Sequence, residues 1–76
     1  MREKIFRILE DLRPDFDFNL PTLLIDDGVL DSFDIVILVG ELNDAFGVNI
    51  GAAELQPENF NSPSAIQTLI ERLQHA

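Results

Sequence analysis

The chain has 76 residues, a net charge of −9, 46% hydrophobic residues and no cysteine. That composition suits one small acidic globule and excludes disulfides and a thiolate nucleophile; with His75 as the only histidine, it excludes a structural zinc site as well. No apolar run approaches the roughly 20 residues that a membrane span requires, and the opening MREKIFRILEDL has no apolar secretory core. Residues 1–76 therefore read as a single cytoplasmic domain.

The charge is unevenly placed. Arg2, Lys4, Arg7 and Arg13 offset Glu3, Glu10 and Asp11, whereas Pro14 through Glu71 holds eleven carboxylates and no lysine or arginine. Such a stretch repels nucleic acid and anionic lipid and draws in basic protein surfaces. Solubility alone would also account for it.

Ile5, Ile8, Leu9 and Leu12 recur at helical spacing, which predicts an amphipathic helix over residues 2–12. Pro14 disfavours its continuation through Arg13. A connection of some seventeen residues follows, long for an undecorated loop. Phe16, Phe18, Leu20, Leu23, Leu24 and Ile25 give it apolar side chains to pack beneath it. Residues 15–20 alternate polar with apolar, as a strand does. The only candidate partner, Val48-Asn49-Ile50, would make a sheet too small to stand, so an ordered loop is expected.

Asp31 is a suitable N-cap, and Asp34 falls in the first turn, where a carboxylate complements the helix dipole. Ser32 to Phe46 then gives a helix of about 22 Å, closed by Gly47. Pro57 starts a short turn carrying Phe60. Ser62-Pro63 pairs a cap with a first-position proline, and Ile66, Leu69, Ile70 and Leu73 share one face behind it. The expected fold is all-α: a small four-helix bundle of three main helices and one short one, with a long ordered loop between the first two.

Ser32 is the residue to explain. It can be an ordinary residue of a helix start. A catalytic serine needs a general base and an orienting group, and the only imidazole sits at position 75, where the end of the chain frays. No Gly-x-Ser-x-Gly elbow is present. Asp26, Asp27, Asp31 and Asp34 invite comparison with a calcium loop, yet placing Gly28 at its sixth position puts Leu23 and Ile25 at ligand positions one and three. That register fails. The remaining option is a point of covalent attachment, since an anion esterified there would meet free backbone N–H groups and the positive end of the dipole.

Asp31-Ser32-Phe33, preceded by Gly28-Val29-Leu30 and followed by Val36, Leu38-Val39, Leu42 and Phe46-Gly47-Val48-x-Ile50, resembles the acyl carrier proteins, whose core motif is Asp-Ser-Leu. The likeness runs along essentially the whole chain. It implies that Ser32 receives a 4′-phosphopantetheine arm from coenzyme A, delivered by a separate phosphopantetheinyl transferase, and that Asp31 helps hold that enzyme's magnesium ion. The arm's thiol would carry an acyl group as a thioester, so the protein would be a carrier and not an enzyme, with no metal of its own. An acyl- or aminoacyl-activating ligase and a downstream acyl transferase would be its partners, and a monomer is expected. Fatty-acid carriers have a glutamate-rich motif helix, but matching positions here read Ile37, Asn43 and Ala45. Residues 52–66 instead resemble the D-alanyl carrier proteins, with Phe60 where those commonly have tryptophan. Aminoacyl, peptidyl and polyketide carriers remain alternatives, as does a non-carrier acidic module that binds a basic groove.

If Leu38, Leu42, Ala45 and Phe46 face the core with Ile35 and Val39, then Phe33, Val36 and Ile37 cannot all be buried, and Gly40 leaves a gap beside them. Together with Glu41 and Asp44 these residues form either a docking patch for partner enzymes or a wider core stripe that the long loop covers.

Overall fold

Helix α1 (Arg2–Leu12) buries Ile5 and Leu9 completely, four residues apart on one face, while Ile8 and Leu12 flank them half-buried. The computed structural model describes residues 1–75. Its other helices are α2 (Ser32–Phe46), α3 (Pro57–Phe60) and α4 (Pro63–Gln74), with a 3₁₀ turn at Ala52–Glu54. No strand occurs among the described residues. The all-α reading holds.

Helix α1 packs against both α2 and α4, and α3 against α4. The core lies where α1 meets Leu38 and Leu42 of α2 and Ile66, Leu69 and Ile70 of α4, with Phe60 of α3 beneath. Ile35, Val39 and Phe46 pack at its margin. Leu38 and Leu42 are wholly buried, so truncating either to alanine would cost about 2–5 kcal/mol.

Local chemistry sets the helix ends. Arg13 leaves helical geometry at φ −136° and ψ 79° while its N–H still donates to the Leu9 carbonyl. This is the stop that Pro14 imposes on its predecessor. Gly47 takes the left-handed conformation (φ 63°, ψ 34°), and its N–H donates to the Asn43 carbonyl. Ser62 Oγ accepts from the Ala65 N–H at 3.0 Å, and Pro63 fills the first helical position of α4.

The connection from α1 to α2 is an ordered series of turns. The alternating stretch at 15–20 is held by Phe16 N–H to the Arg13 carbonyl and Leu20 N–H to the Asp17 carbonyl. Phe18 and Leu24 are buried, and Phe16 lies edge-on to Phe18 at 4.9 Å between ring centroids. Leu20 and Leu23, expected to pack beneath the loop, are instead half exposed. The Leu24 N–H is anchored on the Asn61 carbonyl, which commits Leu24 inward. The preceding amide, Leu23 N–H, is turned to Asp27 Oδ2 at 3.0 Å.

Candidate functional site

The site begins where the loop becomes α2. Asp31 is the N-cap, in extended geometry: its Oδ1 accepts from the Asp34 N–H at 2.9 Å, and Asp34 Oδ2 accepts from the Asp31 N–H at 3.1 Å. Two donors that the helix start would leave unpaired are thus satisfied reciprocally. Ser32 is the first helical residue and is exposed. Because aspartates do the capping, the serine hydroxyl is left over, and no hydrogen bond engages it among the described residues. Asp31 is the cap, as expected, and Ser32 the first residue of the helix it caps.

Asp34 was expected as a first-turn residue complementing the dipole, and it does more. It is 8% exposed, and its Oδ2 also accepts from Arg13 Nη2 at 2.6 Å, joining the end of α1 to the start of α2. Burial pushes the Asp34 carboxyl upward, but the Asp31 backbone N–H and the Arg13 guanidinium outweigh it and hold the group below the usual range. Arg13 is shifted up by the same contact.

The four clustered aspartates do not converge on a cation. Asp26 receives Asn61 Nδ2 at 3.2 Å, Asp27 receives the Leu23 N–H, and Asp31 and Asp34 close the capping box. Among the described residues no group of three or more histidine, cysteine or acidic side chains is arranged to hold a metal. His75 caps the end of α4, outside the lining of the cleft at Ser32, so that cleft holds no imidazole among the described residues.

Ser32 and Asp31 open onto an apolar cleft of about 610 Å³ between the loop, α2 and the segment before α3. Ile25, Leu30, Ile35, Val36, Leu55 and Phe60 line most of it. Asn61 steadies one wall: its Oδ1 accepts from the N–H groups of both Ile25 and Asp26, at 3.0 and 3.1 Å.

One residue beyond Ser32, Phe33 and Val36 are 73% and 70% exposed, and Ile37 is 41% exposed. A methyl group at Gly40 would meet nothing within 4 Å, and Glu41 and Asp44 are exposed. Helical spacing places these six along one stripe. The long loop does not cover it, so the reading of a wider core stripe is overturned. Arg13 and Asn61 were not anticipated as parts of the site. Arg13 did carry a signal, as the last cation before a long run without any.

No family model matches the chain. Its similarity to curated proteins is extensive nonetheless. It is 30% identical over 73 residues to a D-alanyl carrier protein of Lactococcus lactis subsp. cremoris (strain MG1363), spanning 93% of this chain and 92% of that protein. It is 34% identical over 71 residues to D-alanyl carrier protein 1 of Lactiplantibacillus plantarum, spanning 92% and 89%. A D-alanyl carrier protein of Streptococcus suis is 32% identical over 77 aligned positions, spanning 100% and 98%.

Proposed function

The chain belongs to the carrier-protein family that includes these D-alanyl carrier proteins, and from that premise we propose that Ser32 is where a 4′-phosphopantetheine arm is attached. The observation that carries this is the division of labour at the start of α2, where Asp31 and Asp34 satisfy the backbone and leave the Ser32 hydroxyl exposed and uncommitted. The surroundings fit the group. A phosphodiester on Ser32 would lie at a helix N-terminus, which favours an anion, and the cleft beside it is apolar enough to border an extended arm.

In the modification, Ser32 Oγ forms a bond to the pantetheine-bearing phosphorus of coenzyme A. The pyrophosphate P–O bond breaks, 3′,5′-adenosine bisphosphate leaves with the electron pair, and the hydroxyl proton passes to the transferase. Asp31 is exposed beside Ser32, a position suited to recognition by that magnesium-dependent enzyme. Once attached, the arm supplies the thiol on which an acyl or aminoacyl group is carried as a thioester. The chain contributes the mount and the address, which accords with a carrier that has neither cysteine nor an active-site histidine.

The names of the relatives favour D-alanine as the cargo, with a D-alanine-activating ligase and a downstream acyl transferase as cytoplasmic partners. The exposed stripe of Phe33, Val36, Ile37, Gly40, Glu41 and Asp44 is the surface on which those enzymes dock. The test is to incubate the purified chain with coenzyme A, magnesium and a broad-specificity phosphopantetheinyl transferase and to record intact mass. A gain of one phosphopantetheine per chain, abolished in Ser32→Ala, is expected. No gain, or a gain that survives the substitution, would remove the assignment.

A further inference from the structure

Arg13 is the only lysine or arginine between Ile8 and Glu71, and the next one, Arg72, is bound through both terminal nitrogens to Glu54 at 2.6 and 3.2 Å. Among the described residues, Arg13 is the one lysine or arginine that forms an ion pair or hydrogen bond at the start of α2. Its guanidinium donates to Asp34 Oδ2 through Nη2, and the same oxygen accepts the Asp31 N–H. Two hydrogen bonds and one peptide link thus separate the cation from Ser32. The Arg13 Nε is buried without a partner. The side chain is accordingly held here by Asp34 alone, at the expense of an unpaired donor, rather than by a full set of acceptors.

We infer that Arg13 is a positioning residue for Ser32: acting through Asp34, it fixes the first turn of α2, and its charge offsets the anion that modification places there. This rests on Ser32 being the attachment site. Modification adds a phosphodiester beside Asp31 and Asp34. With Arg13 in place one of those carboxylates is compensated, and without it three negative groups crowd one helix start. Charges separated by about a Debye length change an equilibrium by roughly two- to threefold. Removal of Arg13 must therefore harm the modified form more than the unmodified one.

The experiment compares wild type, Arg13→Gln and Arg13→Lys. Each is prepared unmodified and after treatment with coenzyme A, magnesium and the broad-specificity transferase, and each is followed by intact mass and by urea unfolding. Arg13→Gln is expected to gain mass about tenfold more slowly at subsaturating carrier. Its unfolding equilibrium is expected to lose roughly two- to threefold more in the modified than in the unmodified form. Arg13→Lys, which keeps the charge without the planar fork, should fall between wild type and Arg13→Gln in rate and show no excess loss after modification. A purely structural ion pair would lower both forms equally, and that result, or a wild-type rate in folded Arg13→Gln, overturns the inference. If Arg13→Gln does not fold, Arg13→Lys decides: a rate equal to wild type overturns the inference and a slower one supports it. A wild-type chain that never gains the arm overturns the assignment of Ser32 and this inference together, whereas equal behaviour of wild type and variants overturns the inference alone.

Discussion

Replacement of Asn61 by alanine tests whether the loop leading to Ser32 is pinned from the far side of the cleft. The amide side chain makes three contacts: Oδ1 accepts from Ile25 N–H and Asp26 N–H, and Nδ2 donates to Asp26 Oδ2. Asp26 is exposed and can turn to water at small cost, but the Ile25 amide is half-buried. A stranded buried donor costs about 1–3 kcal/mol, and each lost neutral bond about 1 kcal/mol. The sum for Asn61→Ala is about 2 kcal/mol, because the Asn61 carbonyl still receives the Leu24 N–H and the loop is not released outright. For a domain of this size that corresponds to a fall of roughly 8–16 °C in melting temperature, a large share of a total stability on the order of 4–11 kcal/mol. Thermal and urea denaturation followed by circular dichroism read the loss, and amide exchange locates it at Ile25. Asn61→Asp provides the control: it keeps acceptor oxygens for both backbone donors but sets a carboxylate against Asp26, so it should be destabilised, and adding Asp26→Asn should restore much of the loss. A melting point for Asn61→Ala within about 2 °C of wild type, or a drop without faster exchange at Ile25, would refute the reasoning.

Because the Asp34 carboxyl is held below its unfolded value, its contribution to stability is complete above the ordinary aspartate pKa of about 3.9 and is lost as pH falls through the folded value. The hydrogen bond from Arg72 depresses Glu54 in the same direction. Urea midpoints across the acid range should therefore fall below about pH 4, and the gap between wild type and Asp34→Asn should narrow there; a gap independent of pH contradicts this. Ile37→Glu, on a side chain 41% exposed, should leave the fold within about 1 kcal/mol of wild type while lowering kcat/KM for loading by a D-alanine-activating ligase about tenfold. Unchanged loading kinetics would remove the docking role of that stripe. With a net charge of −9, added sodium chloride or magnesium should raise the melting temperature by screening the carboxylates, and a melting point indifferent to both would count against electrostatic strain.

The helix boundaries were legible in the sequence because each is set by chemistry within a few residues of itself. Pro14 constrains Arg13, Asp31 caps the amide three residues on, Gly47 accepts a positive φ, and Ser62-Pro63 opens α4. The same arithmetic showed that Phe33, Val36 and Ile37 cannot all be buried, since a helix cannot bury every side of itself against one core, but that the long loop leaves them uncovered came only from the structure. The loop was less legible. Six apolar side chains promised a packed underside, but Leu20 and Leu23 face solvent, because a turn has no fixed period and its inward positions depend on where its amides find acceptors.

Local rules thus determined from the sequence where the helices start and stop, which faces are apolar, and that a serine stands at the head of an acidic helix with no base of its own to activate it. Only the tertiary structure decided that Asp34 is buried against Arg13, 21 positions away, that Asn61 pins the loop from 35 and 36 positions away, and that Arg72 clasps Glu54 across 18. Those pairings arise from how α2 and α4 dock on α1, α3 on α4, and the connecting segments on them, and docking is governed by the summed fit of side chains from every element, which leaves no periodic mark on any single stretch of chain.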